Sequence, residues 1–419
     1  MASCALCSPT AAAAASWRRR GRPGAFWQSP ATLTACRSPL RRPPNMGALP
    51  ARPVYARVDL GALAHNLRAV AAATGGAKIM AVVKANAYGH GLVPAAQLFE
   101  RAGANALAVA LPEEGAALRT AGVSVPILVM GALLAQQFPI LFDSDLAFSA
   151  TSAESLAAID AAAGERGVRA AVHLKLDTGM QRVGVQWRAA GAFIEQALRC
   201  KHVHIAGVYS HFAAADEANL VSARLQLECF MEALHNFERL NAPLPVRHIA
   251  NSGAVLQMPE AQLDLVRPGI LLYGVYPSDE CARSIAVRPA LSLHAAVTHI
   301  KPLAAGTPVS YGGSWQSAQP VTLATLPVGY GDGYMRALSS RAPVLLRGKR
   351  YGVAGRVCMD QLLVNLGADT AAVGETATLL GSDGAQEISA AELAQLAGTI
   401  AYEVLTNIGA RVPRVYVGP

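Results

Sequence analysis

The run IMAVVK (79–84) is the first of eight short apolar segments, and this series decides the fold. Each segment is rich in aliphatic side chains, as a strand buried on both faces must be. Most are separated by stretches long enough for a helix, and residues 152–167 and 217–240 show amphipathic helical spacing. The other seven segments are ALAVAL (106–111), PILVMG (126–131), LAFSA (146–150), VHLKLD (172–177), IAGVYSHF (205–212), RHIANS (247–252) and LDLVRPG (263–269). We therefore expect an α/β protein built on a parallel (β/α)8 barrel of the TIM type.

After about residue 286 the pattern changes, and a mostly β domain is expected over residues 286–419. Its strand-like segments lie between turns that contain glycine and proline. They include 291–300, 342–366 and 412–417. Only AAELAQLAG (390–398) predicts a helix, with Ser389 as a plausible N-cap. The barrel would span residues 54–285. Its leading strand, Val54–Asp59, lies outside the series of eight and could instead pair with the second domain.

Composition favours a globular protein of two domains. The chain has 419 residues, of which 52% are hydrophobic and 15% are charged, and this balance is the opposite of that in disordered proteins. The formal charge is +8. Residues 1–45 hold seven arginines and no lysine or acidic residue, so +8 minus these seven leaves +1. A nearly neutral body offers no basic surface for a nucleic acid.

Residues 1–45 are excluded from the fold prediction. Their Ala, Arg and Ser content is typical of an organelle transit peptide, but Met46 could be the true start, and we favour that interpretation. Cys4 and Cys7 form a lone C-x-x-C motif, which is weak evidence for a metal site. The other cysteines, apart from Cys36, lie in the body without regular spacing. They are interpreted as reduced, buried side chains of a cytoplasmic protein.

The uncharged stretch 120–142 is long enough to raise the question of a membrane span. It contains Pro126, Gln136, Gln137 and Pro139, which favour a barrel strand followed by a short helix. No membrane partner is expected.

Polar side chains recur at the carboxyl ends of the predicted strands. That face of a barrel is where enzymes of this fold assemble their chemistry. Lys84 ends an apolar run, where burying an unpaired ammonium would be costly. A covalent Schiff base would remove that cost. The set comprises Lys84, Lys175, Asp177, His211, Asn251, Ser252 and Arg267.

The segment AVVKANAYGHG (81–91) resembles the cofactor-lysine signature of the alanine racemases, and eight further motifs follow in that family's order. The resemblance runs from about Val54 to the C-terminus. It implies a pyridoxal 5'-phosphate enzyme that assembles as a head-to-tail homodimer and shares its active sites between subunits. The motifs are KLDTGMQRVG (175–184), VYSHFA (208–213), ANS (250–252), VRPGI (266–270), VSYGG (309–313), PVGYGDG (327–333), GRVCMDQ (355–361) and YEVLT (402–406).

The resemblance implies a role for each candidate residue. The catalytic set would be Lys84, Tyr311, His211 and Arg267. The cofactor would be bound by Lys84, Tyr88, Arg182, His211, Asn251, Ser252, Arg267, Gly269, Ile270 and Tyr402. The substrate would be bound by Arg182, Tyr330, Met359 and Asp360. Lys175 aligns with a lysine that is often carbamylated in the family, although it could simply pair with Asp177. No metal is expected.

Physical reasons accompany the two main roles. Arg267 would face the pyridine nitrogen, and a guanidinium does not readily give up its proton, so the ring nitrogen would stay unprotonated. Racemisation also needs a base on each face of the α-carbon. Lys84 would be one base and Tyr311 the other. Phenols have an ordinary pKa of ~10, so a tyrosine base needs an assisting neighbour, and the resemblance implies His211. The phosphate would lie at the loops after strands seven and eight, near a helix N-terminus.

The function implied is interconversion of L-alanine and D-alanine in the cytoplasm, supplying D-alanine for peptidoglycan. A broad-specificity racemase acting on serine, lysine or arginine remains an alternative, because Gly312 and Gly313 beside Tyr311 could widen the pocket. An ornithine- or diaminopimelate-type decarboxylase would need a carboxylate in place of Arg267.

Two further classes fit less well. A zinc-dependent aldolase or dehydratase would need a His/Cys ligand set near the C-terminus, and His299 is the last histidine. A pyridoxal-phosphate carrier protein would lack the second domain. Three positions depart from the family pattern: Gln181 stands where glycine is common, Gly331 where alanine is common, and Ala401 where asparagine is common.

Overall fold

The computed structural model describes residues 51–418. The predicted extension, residues 1–45, lies outside the described residues. Strand β1 (Val54–Asp59) leads directly into the first helix, whose N-cap Asp59 accepts a hydrogen bond from the amide of Ala62. That side-chain cap satisfies one of the helix's unpaired N–H groups.

Eight parallel strands form the barrel, which confirms the predicted fold. They form two four-stranded ladders, and a bridge between Leu128 and Ala147 joins the two on one side. On the other side the amide of Arg267 donates to the carbonyl of Ala250 over 2.9 Å. The strands are β2 (Lys78–Val82), β3 (Ala106–Val109), β4 (Ile127–Val129), β5 (Phe148–Ala150), β6 (Ala170–Asp177), β8 (Val203–Tyr209), β9 (Val246–His248) and β10 (Leu265–Val266), with a short extra strand β7 (Val185–Gln186) beside β6.

Burial explains why these segments are strands. Every residue of β3, β4 and β5 is buried, as expected where helices cover the outside of a sheet and side chains fill the inside. The covering helices include α6 and α8, in the two stretches whose spacing predicted helices. The helical segments of the barrel region are α1 (Leu60–Ala73), α2 (Lys84–Tyr88), α3 (Leu92–Arg101), α4 (Pro112–Thr120), α5 (Phe138–Asp143), α6 (Ala153–Glu165), α7 (Ala190–Arg199), α8 (Val221–Arg239) and α9 (Ser252–Gln257).

The uncharged stretch 120–142 contains strand β4 and enters α5, as the sequence predicted. Within residues 51–418, none of the helices combines the length and the apolar character that crossing a membrane would require.

The second part of the described chain contains a ten-stranded sheet, and β1 is one of the inner strands of that sheet. Strand β1 pairs antiparallel with β11 and parallel with β19, the pairing with the second domain that the sequence suggested. The neighbouring order is β12-β13-β16-β15-β14-β17-β11-β1-β19, with β18 beside β17. The strands are β11 (Leu291–Ala296), β12 (His299–Leu303), β13 (Val321–Leu326), β14 (Pro343–Leu346), β15 (Lys349–Val353), β16 (Leu362–Asn365), β17 (Thr376–Asp383), β18 (Gln386–Ile388) and β19 (Arg414–Val417).

Two helices accompany this sheet. The predicted helix is α10 (Ala390–Ala397), and Ser389 caps it by accepting from the amide of Glu392 over 3.0 Å. A second helix, α11 (Ala401–Thr406), was not predicted. It is only six residues long and has no side-chain cap, so the sequence carries little signal for it.

Replacing Tyr334 with phenylalanine is expected to stabilise the protein by about 1 kcal/mol. The Tyr334 hydroxyl is buried and has no hydrogen-bond partner among the described residues. Its surroundings are mostly apolar and include Leu293, Leu338 and Leu393. An unpaired buried hydroxyl is a cost that the phenylalanine variant avoids. Urea unfolding would measure the change, and a loss of stability would show that the hydroxyl is paired in solution.

Candidate active site

Lys84 follows the end of β2 and opens a turn of unusual handedness. The next four residues, Ala85 to Tyr88, all have φ values of 52–54°. This is the left-handed region, which costs non-glycine residues roughly 1–2 kcal/mol each. Segment α2 is therefore a left-handed turn, and it places Lys84 at one end and Tyr88 at the other.

Hydrogen bonds hold the start of this turn. The Glu114 carboxylate accepts from the amide of Ala85 over 2.7 Å and from the amide of Ala110 over 3.0 Å. The Asn86 side chain accepts from the amide of Leu92 over 2.8 Å. The turn is thus fixed to the loop after β3 and to the start of α3.

Burial lowers the pKa of Lys84, and the nearby positive charges of Arg182 and Arg267 lower it further, against the opposing effect of Glu114. A lysine whose pKa is lowered carries more of the neutral amine, which is the nucleophilic and basic form. The electrostatics therefore suit Lys84 to covalent catalysis.

Arg267 follows β10 and is 3% exposed. Its Nη1 donates to His248 Nδ1 over 2.9 Å, and its Nη2 donates to the carbonyl of Ser210 over 2.7 Å and to His211 Nδ1 over 3.2 Å. Burial lowers the pKa of Arg267 to about 10, so it stays charged at neutral pH. None of the hydrogen bonds made within the described chain uses its Nε–H, which leaves that donor available to a ligand.

The neighbouring histidines are fixed as neutral tautomers. Arginine can only donate, so His248 Nδ1 must accept and its Nε2 must carry the proton. That Nε2 lies 2.8 Å from His173 Nδ1. Burial, with the charge of Arg267, holds the pKa of His248 well below its ordinary value and lowers the pKa of His173 to about 3. A buried chain Arg267–His248–His173 therefore runs across the barrel interior.

Three residues of this interior were missed as site residues: His173, Tyr209 and His248. The Tyr209 ring stacks on His248 at 4.9 Å between centroids, and its hydroxyl lies 2.8 Å from Ser149 Oγ. A signal was present for His173, which interrupts the apolar strand β6, whereas Tyr209 and His248 are the last residues of their strands. The sequence could not show which of these side chains point into the barrel.

Lys175 and Arg182 lie in the same cluster. Lys175 is 4% exposed, donates to the carbonyl of Leu176 over 2.7 Å and lies over the Tyr209 ring. Burial and the charge of Arg267 lower the pKa of Lys175 to about 7. Arg182 is exposed, and its charge contributes to the lowered pKa values of Lys84 and Lys175.

Replacing Gln181 with glycine is expected to stabilise the protein by about 0.5–1 kcal/mol. Gln181 has a φ of 57°, which is in the left-handed region. Its amide donates to Asp177, so the turn that precedes Arg182 requires this conformation. The matched control is Gln186→Gly, which removes the same hydrogen bond between the two glutamine side chains at a φ of −55°. Thermal unfolding should separate the two variants, and equal losses in both would contradict the prediction.

The predicted phosphate-binding residues lie together. A Cβ on Gly269 would lie 2.4 Å from the Tyr88 hydroxyl, so only glycine lets that hydroxyl lie so close to the loop after β10. Ser252 Oγ accepts from the amides of Gly269 over 2.8 Å and Leu271 over 3.4 Å. The ring centroids of Tyr88 and Tyr402 are 6.1 Å apart. Four of the predicted phosphate-binding residues thus lie close together.

Asn251 and Ile270 have structural roles here. The Asn251 side chain is the N-cap of α9 and accepts from the amide of Ala254 over 3.1 Å. Ser252 is therefore the first residue of that helix, and its hydroxyl is directed to the loop after β10 instead. Ile270 begins a short 3-10 helix and is fully buried.

Apart from Tyr402, the predicted residues of the second domain include three large exposed side chains. Tyr311 is 69% exposed, Met359 is 52% and Tyr330 is 42%. An open concave surface is lined only by residues 310–312 and 358–361. Tyr311 is thus not placed against the barrel cluster of Lys84 and Arg267 within this chain.

Close backbone contacts hold the segments around Tyr330 and Met359. The amide of Tyr330 donates to the carbonyl of Cys358, and the amide of Gly331 donates to that of Met359 over 2.9 Å. Asp360 pairs with Arg411 at 2.6 Å. These contacts fix the PVGYGDG and GRVCMDQ motifs side by side.

Comparison with known proteins covers both parts of the chain. The family model "Alanine racemase, N-terminal domain" matches residues 58–277, and "Alanine racemase, C-terminal domain" matches residues 290–416. The chain belongs to the alanine racemase family. An alanine racemase of Carboxydothermus hydrogenoformans is 43% identical over 368 residues, which are 87% of this chain and 100% of the relative.

Solved structures of alanine racemases are similar to this chain over most of its length. The enzyme of the D-cycloserine-producing Streptomyces lavendulae is 42% identical with a TM-score of 0.84, over 88% of this chain and 98% of that one. A biosynthetic alanine racemase of Pseudomonas aeruginosa is 36% identical with a TM-score of 0.78, over 88% and 100%.

Enzymes of the alanine racemase family use pyridoxal 5'-phosphate, and the barrel residues fit this group. Lys84 has the lowered pKa that imine formation with an aldehyde needs. The Tyr88 hydroxyl lies close against Gly269, and it could donate a hydrogen bond to a phosphate oxygen there. The free Nε–H of Arg267 could donate to a ring nitrogen.

Proposed function

We propose that this enzyme interconverts L-alanine and D-alanine, with Lys84 as one base and Tyr311 of the partner subunit as the other. The observation that carries the proposal is the buried Arg267, whose side chain donates to His248, His211 and the carbonyls of Ser210 and Ile249. A decarboxylase would need a carboxylate at this position to protonate the cofactor ring. The names of the similar proteins support alanine as the substrate.

Pyridoxal phosphate, when bound, withdraws electrons from the α-carbon of the amino acid. The protein must then move a proton away from one face of that carbon and return one to the other face. Lys84 can move the proton on the face of the α-carbon that it adjoins, because burial and the nearby arginines favour its neutral amine. Arg182, exposed beside this cluster, is proposed to receive the substrate carboxylate.

The other base is supported through His211. Arg267 donates to His211 Nδ1, so a neutral His211 carries its proton on Nε2. Burial and the charge of Arg267 hold the pKa of His211 well below its ordinary value, so it is uncharged at neutral pH. His211 would then donate a hydrogen bond to the phenolate of Tyr311 of the partner subunit and stabilise it as a base.

A homodimer with shared active sites follows from this assignment. Tyr311 and Met359 are large exposed side chains on one concave surface, and Tyr330 is a third large exposed side chain. Contact with the barrel face of a partner subunit would bury them and bring Tyr311 to His211. Tyr330 and Met359 would then limit the substrate side chain, with Asp360 holding the Met359 loop through Arg411.

Lys175 is proposed to carry a carbamate that neutralises and orients Arg182. Carbamylation joins carbon dioxide to a neutral amine and releases one proton, and a pKa of about 7 makes that amine abundant at neutral pH. Incubation with ¹³C-bicarbonate should give a carbamate resonance in the NMR spectrum that Lys175→Ala lacks. An identical resonance in both proteins would refute the assignment.

Three assignments remain, namely the domain boundary, the cellular compartment and the use of the D-alanine. We place the domain boundary near residue 286, between the two family-model matches, which end at 277 and begin at 290. The free thiols of Cys200, Cys229, Cys281 and Cys358 favour a reducing compartment such as the cytoplasm. The similarity to a biosynthetic alanine racemase supports D-alanine supply for peptidoglycan.

The decisive experiment follows L-alanine in deuterium oxide with purified protein and pyridoxal phosphate. Appearance of α-deuterated D-alanine is the expected result. If L-alanine were inert while L-serine or L-lysine racemised, the substrate assignment would fall and the mechanism would stand. Absence of α-proton exchange with every amino acid tested would refute the proposed function.

A further inference from the structure

The left-handed turn after Lys84 needs support at its far end. Four successive non-glycine residues with positive φ together cost several kcal/mol, and such strain persists only where the surroundings over-determine it. Glu114 and Asn86 hold the start of the turn. The far end, Gly89, is held by the last strand of the chain.

Arg414 of β19 reaches this end directly. Its Nε donates to the carbonyl of Gly89 over 3.0 Å. Its Nη1 donates to the carbonyls of Gly409 and Val412, and its Nη2 donates to that of Ile408. One partly buried guanidinium therefore joins the cofactor-lysine turn to the segment that precedes β19. Burial lowers the pKa of Arg414, and it remains a cation at neutral pH.

The two glycines of the turn allow this close approach. A Cβ on Gly89 would lie 2.2 Å from the carbonyl oxygen of Leu405, and one on Gly91 would lie 1.9 Å from the Tyr416 hydroxyl. Both glycines also have positive φ. The turn is thus packed against α11 and β19 with no space between.

His90 supports the turn from within. Its Nδ1 lies 2.9 Å from the carbonyl oxygen of Tyr88 and 3.1 Å from that of Ala87, so Nδ1 must carry the proton and donate. The ring is fully buried and packs on Tyr273 with centroids 4.6 Å apart. His90 therefore binds two carbonyls of the strained turn in one orientation.

We propose that Arg414, together with His90, is a positioning residue for Lys84 and Tyr88, because it holds the far end of the left-handed turn that carries them. This proposal rests on the proposed function, since it assigns a role toward the cofactor that Lys84 binds. It makes the last strand of the chain part of the cofactor site, although Arg414 contacts neither cofactor nor substrate.

The test compares Arg414→Met with Arg57→Met in the full-length protein. Arg57 is an exposed arginine on β1, the strand beside β19, and the structure gives it no contact with the turn. We expect Arg414→Met to weaken pyridoxal phosphate binding about 10-fold or more, the effect of losing a charged hydrogen bond. Hydrogen–deuterium exchange of residues 84–91 should become faster, and Arg57→Met should match the parent in both measurements.

A pH profile separates positioning from general stability. The rate at which Lys84 captures pyridoxal phosphate, trapped with borohydride, depends on the fraction of neutral amine. If the turn relaxes, Lys84 moves away from Arg182 and Arg267 and from its buried site, so the profile should shift to higher pH. Glu114, the third charge near Lys84, is unchanged in the variant.

Two further variants keep the proposal testable if Arg414→Met unfolds. His90→Phe retains a ring but no donor, and it should show the same faster exchange and shifted profile. Arg414→Lys should fall between the parent and Arg414→Met. Folded variants with unchanged affinity, exchange and pH profile would overturn the proposal. Failure of the parent itself to capture pyridoxal phosphate would instead refute the proposed function.

Discussion

Replacing Tyr311 with phenylalanine is expected to slow the conversion of L-alanine to D-alanine by about 10²–10⁴-fold, the usual contribution of a general base. Phenylalanine keeps the ring and its packing but cannot accept a proton. Lys84 remains, so the variant should still exchange the α-proton of the alanine enantiomer that presents it to Lys84, without racemising that enantiomer. The matched control is Tyr351→Phe, whose hydroxyl contacts Asp369 outside the candidate site.

The same variant tests whether the active site is shared between subunits. Lys84→Ala and Tyr311→Phe should each be nearly inactive alone. After subunit exchange in an equal mixture, half of the dimers are mixed, and each mixed dimer has one intact site. Activity should therefore recover to about a quarter of the parent value. No recovery, despite proven subunit exchange, would place Lys84 and Tyr311 of one chain in the same site.

Replacing Gly269 with alanine is expected to weaken pyridoxal phosphate binding by about 10–100-fold. The added Cβ would lie 2.4 Å from the Tyr88 hydroxyl, so either the tyrosine or the loop after β10 must move. Overpacking of this kind costs about 1–3 kcal/mol. Fluorescence titration with pyridoxal phosphate measures the change in affinity. A simple phosphate ester added in solution should compete with pyridoxal phosphate less well in the variant than in the parent.

The control for this substitution is Gly352→Ala on β15. A Cβ there meets no atom within 4 Å, and the residue does not have positive φ. Cofactor affinity should be unchanged in Gly352→Ala. If Gly269→Ala bound pyridoxal phosphate as tightly as this control, the contact between Gly269 and the Tyr88 hydroxyl would have no part in phosphate binding.

The barrel could be predicted from the sequence because its strands are buried on both faces. Segments such as 106–111 and 126–131 are continuous apolar runs, and such short runs are typical of strands buried on both faces. The ends of the strands could not be predicted as closely. The eighth segment, 263–269, forms a ladder only at Leu265–Val266. The polar residues that follow each strand could also be placed on one face, since parallel strands end on the same side.

The turn after Lys84 could not be predicted. Alanine favours right-handed helices, and nothing in KANAY indicates the opposite hand. Tertiary contacts impose it, through Glu114 at one end and Arg414 at the other. Arg414 is more than 300 positions away in sequence, so no local pattern could reveal the contact.

The chain of polar side chains inside the barrel was hidden for a related reason. His173 on β6 and His248 on β9 are separated by β8 in the same ladder, and their side chains come within 2.8 Å only in the folded sheet. The separation of Tyr311 from Lys84 was anticipated by resemblance alone. Residue spacing carries no information about which face of the second domain is exposed.

Strand β1 has a consequence for the order in which the polypeptide can fold. It is the first strand described, yet its partners are β11, which begins at Leu291, and β19, which ends at Val417. The barrel is therefore an insertion within the C-terminal sheet. During synthesis β1 must wait until residues 414–417 leave the ribosome before its place in the sheet is complete. Such distant pairing slows folding, so the sheet should close only after the barrel has formed.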